Sequence, residues 1–204
     1  MNKNRKQTII LLLALVFIFS MMFYTFHEKE IFWYLYAFTL LIGIAISLVA
    51  GKFEDRVPTW RYLLYGIGYG TITYGIVKLG HIVIPHIDSS ATKEIVKFLD
   101  VYGPQNIFHY LLLIFIVAVG EEMFWRGYVQ QQIKRFTSPA LAVFITALLF
   151  SLSLVISGFI PGAIAAIFTG LIWGLLYEWK KSLPLIIVSH VVFILLLFLV
   201  LPII

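Results

Sequence analysis

The 204-residue chain contains no cysteine. Disulfides, thiolate nucleophiles and thiolate metal ligation are therefore excluded, and any bound metal would depend on histidine and carboxylate. Charge is also scarce: Asp, Glu, Lys and Arg make up 12% of the residues, against roughly 25% in soluble globular domains. Neither an inverted repeat nor a pair of broken helices is visible, which argues against a small transporter.

What is present is apolar. Hydrophobic residues account for 61% of the chain and mean hydropathy is +0.98, more apolar surface than a water-soluble core can absorb. A helix needs about 20 mostly apolar residues to span hydrocarbon, because every backbone N–H and C=O must be bonded within the segment. Seven such stretches are read, at about 8–26, 32–51, 62–86, 106–132, 139–157, 161–178 and 183–203. The expected fold class is all-α, a polytopic transmembrane bundle of about seven helices. Residues 1–105 would form N-terminal helices and an outer loop, and residues 106–204 a core.

The first stretch follows Lys3, Arg5 and Lys6 but is too long for a signal-peptide core. It ends in Met-Met-Phe-Tyr-Thr-Phe-His without small residues suited to cleavage, so it is expected to be a retained anchor. The formal charge of +5 would suggest nucleic acid in a soluble chain. Here the basic residues are spread thinly over helix ends, as membrane orientation requires, and no nucleic-acid partner is expected.

With the N-terminus in the cytoplasm, Lys3, Arg5, Lys6, Lys52, Arg56, Arg61, Lys134, Arg135, Lys180 and Lys181 all lie on the cytoplasmic side. The opposite orientation would place only Lys29, Lys93 and Lys97 there, with Lys78 near the boundary. The positive-inside rule favours the first arrangement. The expected location is the bacterial cell membrane, N-terminus cytoplasmic, with membrane lipid as a partner.

The connection at 87–105 mixes Asp88, Lys93, Glu94, Lys97 and Asp100 with Ile95, Val96, Phe98 and Leu99, which suggests a short helix on the outer surface. Trp33, Tyr34, Trp60, Tyr62, Trp125, Tyr128, Tyr177 and Trp179 fall near expected helix ends and read as interfacial anchors. Glycines 66, 68, 70, 170 and 174 read as points of close helix approach.

One stretch is chemically loaded: Gly120-Glu121-Glu122-Met123-Phe124-Trp125-Arg126-Gly127. Each charge at a helix centre costs about 2.5–3.5 kcal/mol on the insertion scale, so these groups must face the bundle interior or a wet cavity. Glu122 and Arg126 are four apart and can neutralise each other as an ion pair. Glu121 is then left without a local partner, free to serve as a general base. His190 is the one histidine at matching depth. It lies about 10–12 Å into the last segment, against about 15 Å for Glu122 from the same boundary. The expectation is one cavity facing the cytosol. Taken alone, His190 reads more readily as an interhelical hydrogen-bonding residue than as a ligand, and its depth match with the carboxylates brings the two readings level. His109, about 18 Å along the helix from Glu121, cannot share the site, and His27, His81 and His86 fall near outer boundaries.

Glu121-Glu122-Met-Phe-Trp-Arg126 resembles the Glu-Glu-x-x-x-Arg motif of the CPBP intramembrane proteases, the CAAX prenyl protease 2 and bacteriocin-processing group. Leu-Leu-Phe150-Ser, Gly170-Leu-Ile-Trp-Gly-Leu-Leu-Tyr177 and Ser182-Leu-Pro-Leu-Ile-Ile-Val-Ser-His190 follow that family's order over roughly residues 106–200. The resemblance implies an intramembrane endopeptidase acting on membrane-associated peptides or proteins. Glu121 would be the base that activates water, Glu122 and Arg126 its support, and His190 a metal ligand or oxyanion stabiliser. Glu121 and His190 would hold the implied divalent metal, such as zinc. Two positions depart from the pattern: Leu154 stands where Phe-x-x-x-His places histidine, and Ile194 where His-x-x-x-Asn/Asp places a polar residue. Ser151, Ser153 and Ser189 offer hydroxyls nearby. The alternative implied by these departures is a family member that binds a membrane partner without cleaving it.

Overall fold

The computed structural model describes residues 3–203, the side chains of 3 and 4 excepted, so the charge counted at Lys3 lies outside the described side chains. The chain is helical almost throughout. In order, the elements are α1 (Lys3–His27), α2 (Phe32–Ala50), α3 (Thr59–Val83), α4 (Ala91–Tyr102), α5 (Ile107–Ile133), α6 (Pro139–Val155), α7 (Ile160–Lys180) and α8 (Leu183–Val200). No strand is present among the described residues, apart from a single antiparallel bridge between Asp55 and Ser182.

Six of these helices are long and apolar enough to cross a membrane, and α6 is a shorter apolar helix of 17 residues, at the lower limit of what spans hydrocarbon. Much of the apolar surface points outward: Leu13 and Val16 are each 64% exposed and Val49 is 89% exposed. Such an exterior is stable only where lipid is the solvent. The protein is an integral membrane protein, an all-α polytopic bundle. The short helix read between 87 and 105 is α4. Its inward stripe of Ala91, Ile95, Phe98, Leu99 and Tyr102 follows helical spacing, and Phe98 stacks on Phe159 at 4.1 Å.

Local signals set the helix starts. Ser138 caps α6 through the Leu141 amide at 3.3 Å, with Pro139 at the first helical position. Ser182 caps α8, and Asn106 caps α5 through the His109 amide at 3.1 Å. In each case a side-chain oxygen satisfies one otherwise orphaned amide.

Two seams use missing side chains. A Cβ on Gly70 would lie 2.5 Å from the Ser189 carbonyl oxygen, and one on Gly66 2.6 Å from Val188, so α3 lies directly against α8. Gly174 approaches Val143 at 2.8 Å and Gly170 approaches Ala147 at 3.0 Å, which joins α6 and α7. Gly68 has nothing within 4 Å and belongs to neither seam. The aromatic reading divides in the same way. Tyr34, Trp60 and Trp179 are exposed as interfacial anchors should be. Trp125, Tyr128 and Tyr177 are buried in the bundle, so for these three the expectation of an interfacial position is corrected. Helix-end position alone cannot tell an outward ring from an inward one.

The connections lie on two faces. One face carries the start of α1 and the connections 51–58, 134–138 and 181–182. The 51–58 segment is tied there by backbone bonds, Lys52 N–H to Gly127 at 3.0 Å, Arg56 N–H to Lys181 at 2.9 Å and Leu183 N–H to Glu54 at 2.9 Å. The Tyr177 hydroxyl accepts the Glu54 amide at 3.1 Å and donates to the Lys52 carbonyl at 3.2 Å. The opposite face carries 28–31, α4 with its flanks, and 156–159.

Candidate active site

The site is built around a change of winding in α5. The helix runs as α through Ala118–Glu121, then widens to a π-helix over Glu122–Val129. Such bulges recur at functional sites because they re-aim side chains that regular winding would spread around the axis. Here they serve an ion pair: the Arg126 Nη1 donates to Glu122 Oε1 at 3.0 Å, with both side chains almost wholly buried. The guanidinium also lies 5.1 Å from the Phe150 ring and 5.5 Å from the Trp173 ring. Aromatic faces stabilise a cation where water is excluded.

α8 contributes His190. Its Nδ1 lies 2.9 Å from the same Glu122 oxygen that accepts from Arg126, and its Nε2 lies 3.9 Å from Glu121 Oε2. An ionised carboxylate only accepts, so the Glu122 contact places a proton on Nδ1 and directs Nε2 toward Glu121. The Trp173 ring stacks on the imidazole at 4.0 Å and is itself held by its Nε1, which donates to Ser189 Oγ at 3.1 Å. The structure thus brings together Glu121, Glu122, Arg126 and His190, all four buried.

Sequence reasoning missed one member. Tyr36 of α2 is buried and its hydroxyl donates to Glu121 Oε1. Its only sequence signal is a phenol within an apolar helix, and at the fifth residue of α2 it looks the same as the interfacial rings beside it. Tyr36 therefore holds one oxygen of Glu121 by a hydrogen bond, and His190 Nε2 faces the other at 3.9 Å.

The four groups form a charge account that closes. Arg126 and Glu122 neutralise each other, so Glu121 and His190 need share only a single proton for the cluster to be neutral. That proton can sit on the carboxylate or on the imidazole at no change in net charge. Burial makes this a requirement, since an unpaired ion costs several kcal/mol there.

Glu121 and His190 sit at the blind end of a cavity of about 770 Å³. Its wall is almost wholly apolar and includes aromatic rings from Phe26, Trp33, Phe98 and Phe159. The cavity opens away from the face that the 51–58 segment closes. None of the connections 51–58, 134–138 or 181–182 lines it; instead it runs toward the other face, where its lining includes Ile84, Ile87, α4 residues and Ile203. Ile87 there is 82% exposed, whereas Tyr128, Gln130 and Leu185 behind the cluster are buried. Depth along two helices placed Glu121 and His190 together, but depth is nearly the same from either face and carries no information about which way the space between them opens.

The expected second- and third-motif positions are in the wall as well. Leu154 and Ile194 line the same cavity as Glu121 and His190, so hydrocarbon occupies two places where polar ligands would help hold an ion. Ser151 and Ser153 donate to the Ala163 and Phe150 carbonyls at 2.7 Å each, and Ser189 accepts from Trp173. No group of three His, Asp or Glu able to hold a metal occurs among the described residues. Catalytic zinc takes three protein ligands, and the donor set here, Glu121 and His190, falls one short. The residues present do not fit the expected zinc. His109 stacks on Trp33 at 4.5 Å near the start of α5, and takes no part in the cluster.

Residues 103–196 match the family model for Rce1-like proteins, the type II CAAX prenyl endopeptidases. That stretch covers α5 to most of α8 and carries every motif of the CPBP resemblance. No significant match was found among curated proteins or among solved structures.

Proposed function

From the Rce1-like character of residues 103–196, we propose that the protein is an intramembrane endopeptidase of the CAAX-protease type, hydrolysing peptide bonds of membrane-associated substrates with a water activated by Glu121. The observation that carries this reading is the gap between Glu121 Oε2 and His190 Nε2. At 3.9 Å it is too long for a direct hydrogen bond and suits a water bonded to both, at the inner end of an apolar cavity of about 770 Å³.

The steps follow from the geometry. Glu121, with its second oxygen held by Tyr36, removes a proton from the water as the oxygen attacks the scissile carbonyl carbon. The developing oxyanion is met by the Nε2–H of the His190 imidazolium, whose Nδ1–H is held by the Glu122 carboxylate that Arg126 also pairs. Collapse of the tetrahedral intermediate breaks the C–N bond. Glu121 returns its proton to the departing amine, which leaves a new carboxyl and a new amino terminus. No step calls for a metal.

A reconstituted cleavage assay tests this. Glu121→Gln and His190→Ala should each lose cleavage of a fluorogenic apolar peptide that the parent protein hydrolyses, the loss for the base being about 10²–10⁴-fold. Equal cleavage by all three proteins would refute it. Leu154 and Ile194 support a second reading, a family member that binds such peptides without hydrolysing them. Peptide binding by both the parent and Glu121→Gln, with cleavage by neither, would select that one.

A further inference from the structure

The direction of the cavity and the distribution of charge together say where the substrate comes from. Of the chain's fifteen Lys and Arg residues, ten lie at the face sealed by the 51–58 segment, Arg126 lies in the interior, and four lie toward the cavity's mouth. That mouth face also holds five carboxylates, Glu28, Glu30, Asp88, Glu94 and Asp100, against three on the sealed face. All the connections are short, the condition under which basic residues govern orientation.

We propose that the sealed basic face is cytoplasmic and that the cavity opens to the extracytoplasmic side, so the site receives apolar peptide segments that have already crossed the membrane or lie in its outer leaflet. That the ligand is a peptide rests on the endopeptidase reading; the side it comes from does not. The sealed face is closed by more than the backbone ties. Glu178 accepts from Lys134 at 2.8 Å and from Gln130 at 3.0 Å, and also pairs with Lys181, which binds α7 to the end of α5. A peptide approaching from the cytoplasm would have to break this layer, whereas on the other side the cavity is bordered by α4 and the apolar ends of α3 and α8. The apolar wall selects against charged peptide segments, because no group along it repays their desolvation.

The lack of cysteine makes the test direct. Single cysteines are introduced at Ile87 or Ser89 beside the mouth, both exposed, and at Phe136 on the basic face, 57% exposed. Each full-length protein is treated with a membrane-impermeant maleimide in spheroplasts and in inverted vesicles from the same cells. The expected result is labelling of Ile87→Cys and Ser89→Cys in spheroplasts only, and of Phe136→Cys in inverted vesicles only. The reverse pattern overturns the proposal. A fluorogenic apolar peptide tethered to dextran, which cannot cross the bilayer, is then offered to both preparations. Cleavage in spheroplasts that Glu121→Gln abolishes supports the proposal; cleavage confined to inverted vesicles overturns it while sparing the endopeptidase reading. Cleavage in neither, with the labels as expected, overturns the endopeptidase reading and leaves the outward cavity supported.

Discussion

Glu122 does the most work per atom at the site, since one of its oxygens accepts from Arg126 and lies against His190 Nδ1. Removing it strands a buried guanidinium. Glu122→Gln is therefore expected to destabilise the bundle by about 3–5 kcal/mol, as is Arg126→Met, while Glu122→Leu combined with Arg126→Met should recover much of that loss because no charge is left unpaired. Thermal unfolding in detergent would measure all three, and a double variant no better than the singles would contradict the pairing. Tyr36→Phe removes a hydrogen bond to a carboxylate, a contribution of about 1.5–3 kcal/mol. Turnover should fall by about ten- to a hundred-fold and the melting temperature by several degrees, with KM for an apolar peptide unaffected. With Leu154 and Ile194 in the wall, a chelator should leave cleavage unchanged. Full loss on chelation, restored by zinc, would show that ligands other than these residues complete a metal site.

Among the helices, α3 carries no member of the cluster yet sets the position of one. Gly70 lies against the carbonyl of Ser189, the residue before His190, so a methyl group there pushes on the backbone that aims the imidazole. Gly70→Ala is expected to destabilise by about 1–3 kcal/mol through overpacking and to lower activity with it. Gly68→Ala, two residues away in open space, should do neither and should gain slightly in helix propensity. Equal effects at the two positions, read by unfolding and by cleavage rate, would show that the seam does not position the site. In the sequence both glycines look alike, as small residues in an apolar helix. Only the partner helix distinguishes them.

Across the whole molecule, one face is tied and the other is open. Tyr177 belongs to the tie through two hydrogen bonds to the 51–58 segment, each contributing about 0.5–1.5 kcal/mol. Tyr177→Phe should raise hydrogen exchange at the Glu54 and Arg56 amides and leave α4 unchanged, as followed by mass spectrometry in detergent. Faster exchange at α4 as well would mean that the two faces are coupled.

Composition and hydropathy were enough to establish an integral membrane bundle, because the bilayer requires long apolar segments with internally satisfied backbones, and length and polarity are readable from sequence. The Glu-Glu-x-x-x-Arg spacing was enough to predict the Glu122–Arg126 pair, since positions four apart meet on any helix. Long-range contact decided the rest. Tyr36 and Glu121 are 85 residues apart, and nothing local to Tyr36 separates a ring that anchors in the interface from one that bonds a buried carboxylate. The cavity's direction depends on how seven helices lean against one another and on which connection closes over the cluster, so it is a property of packing that no single segment contains.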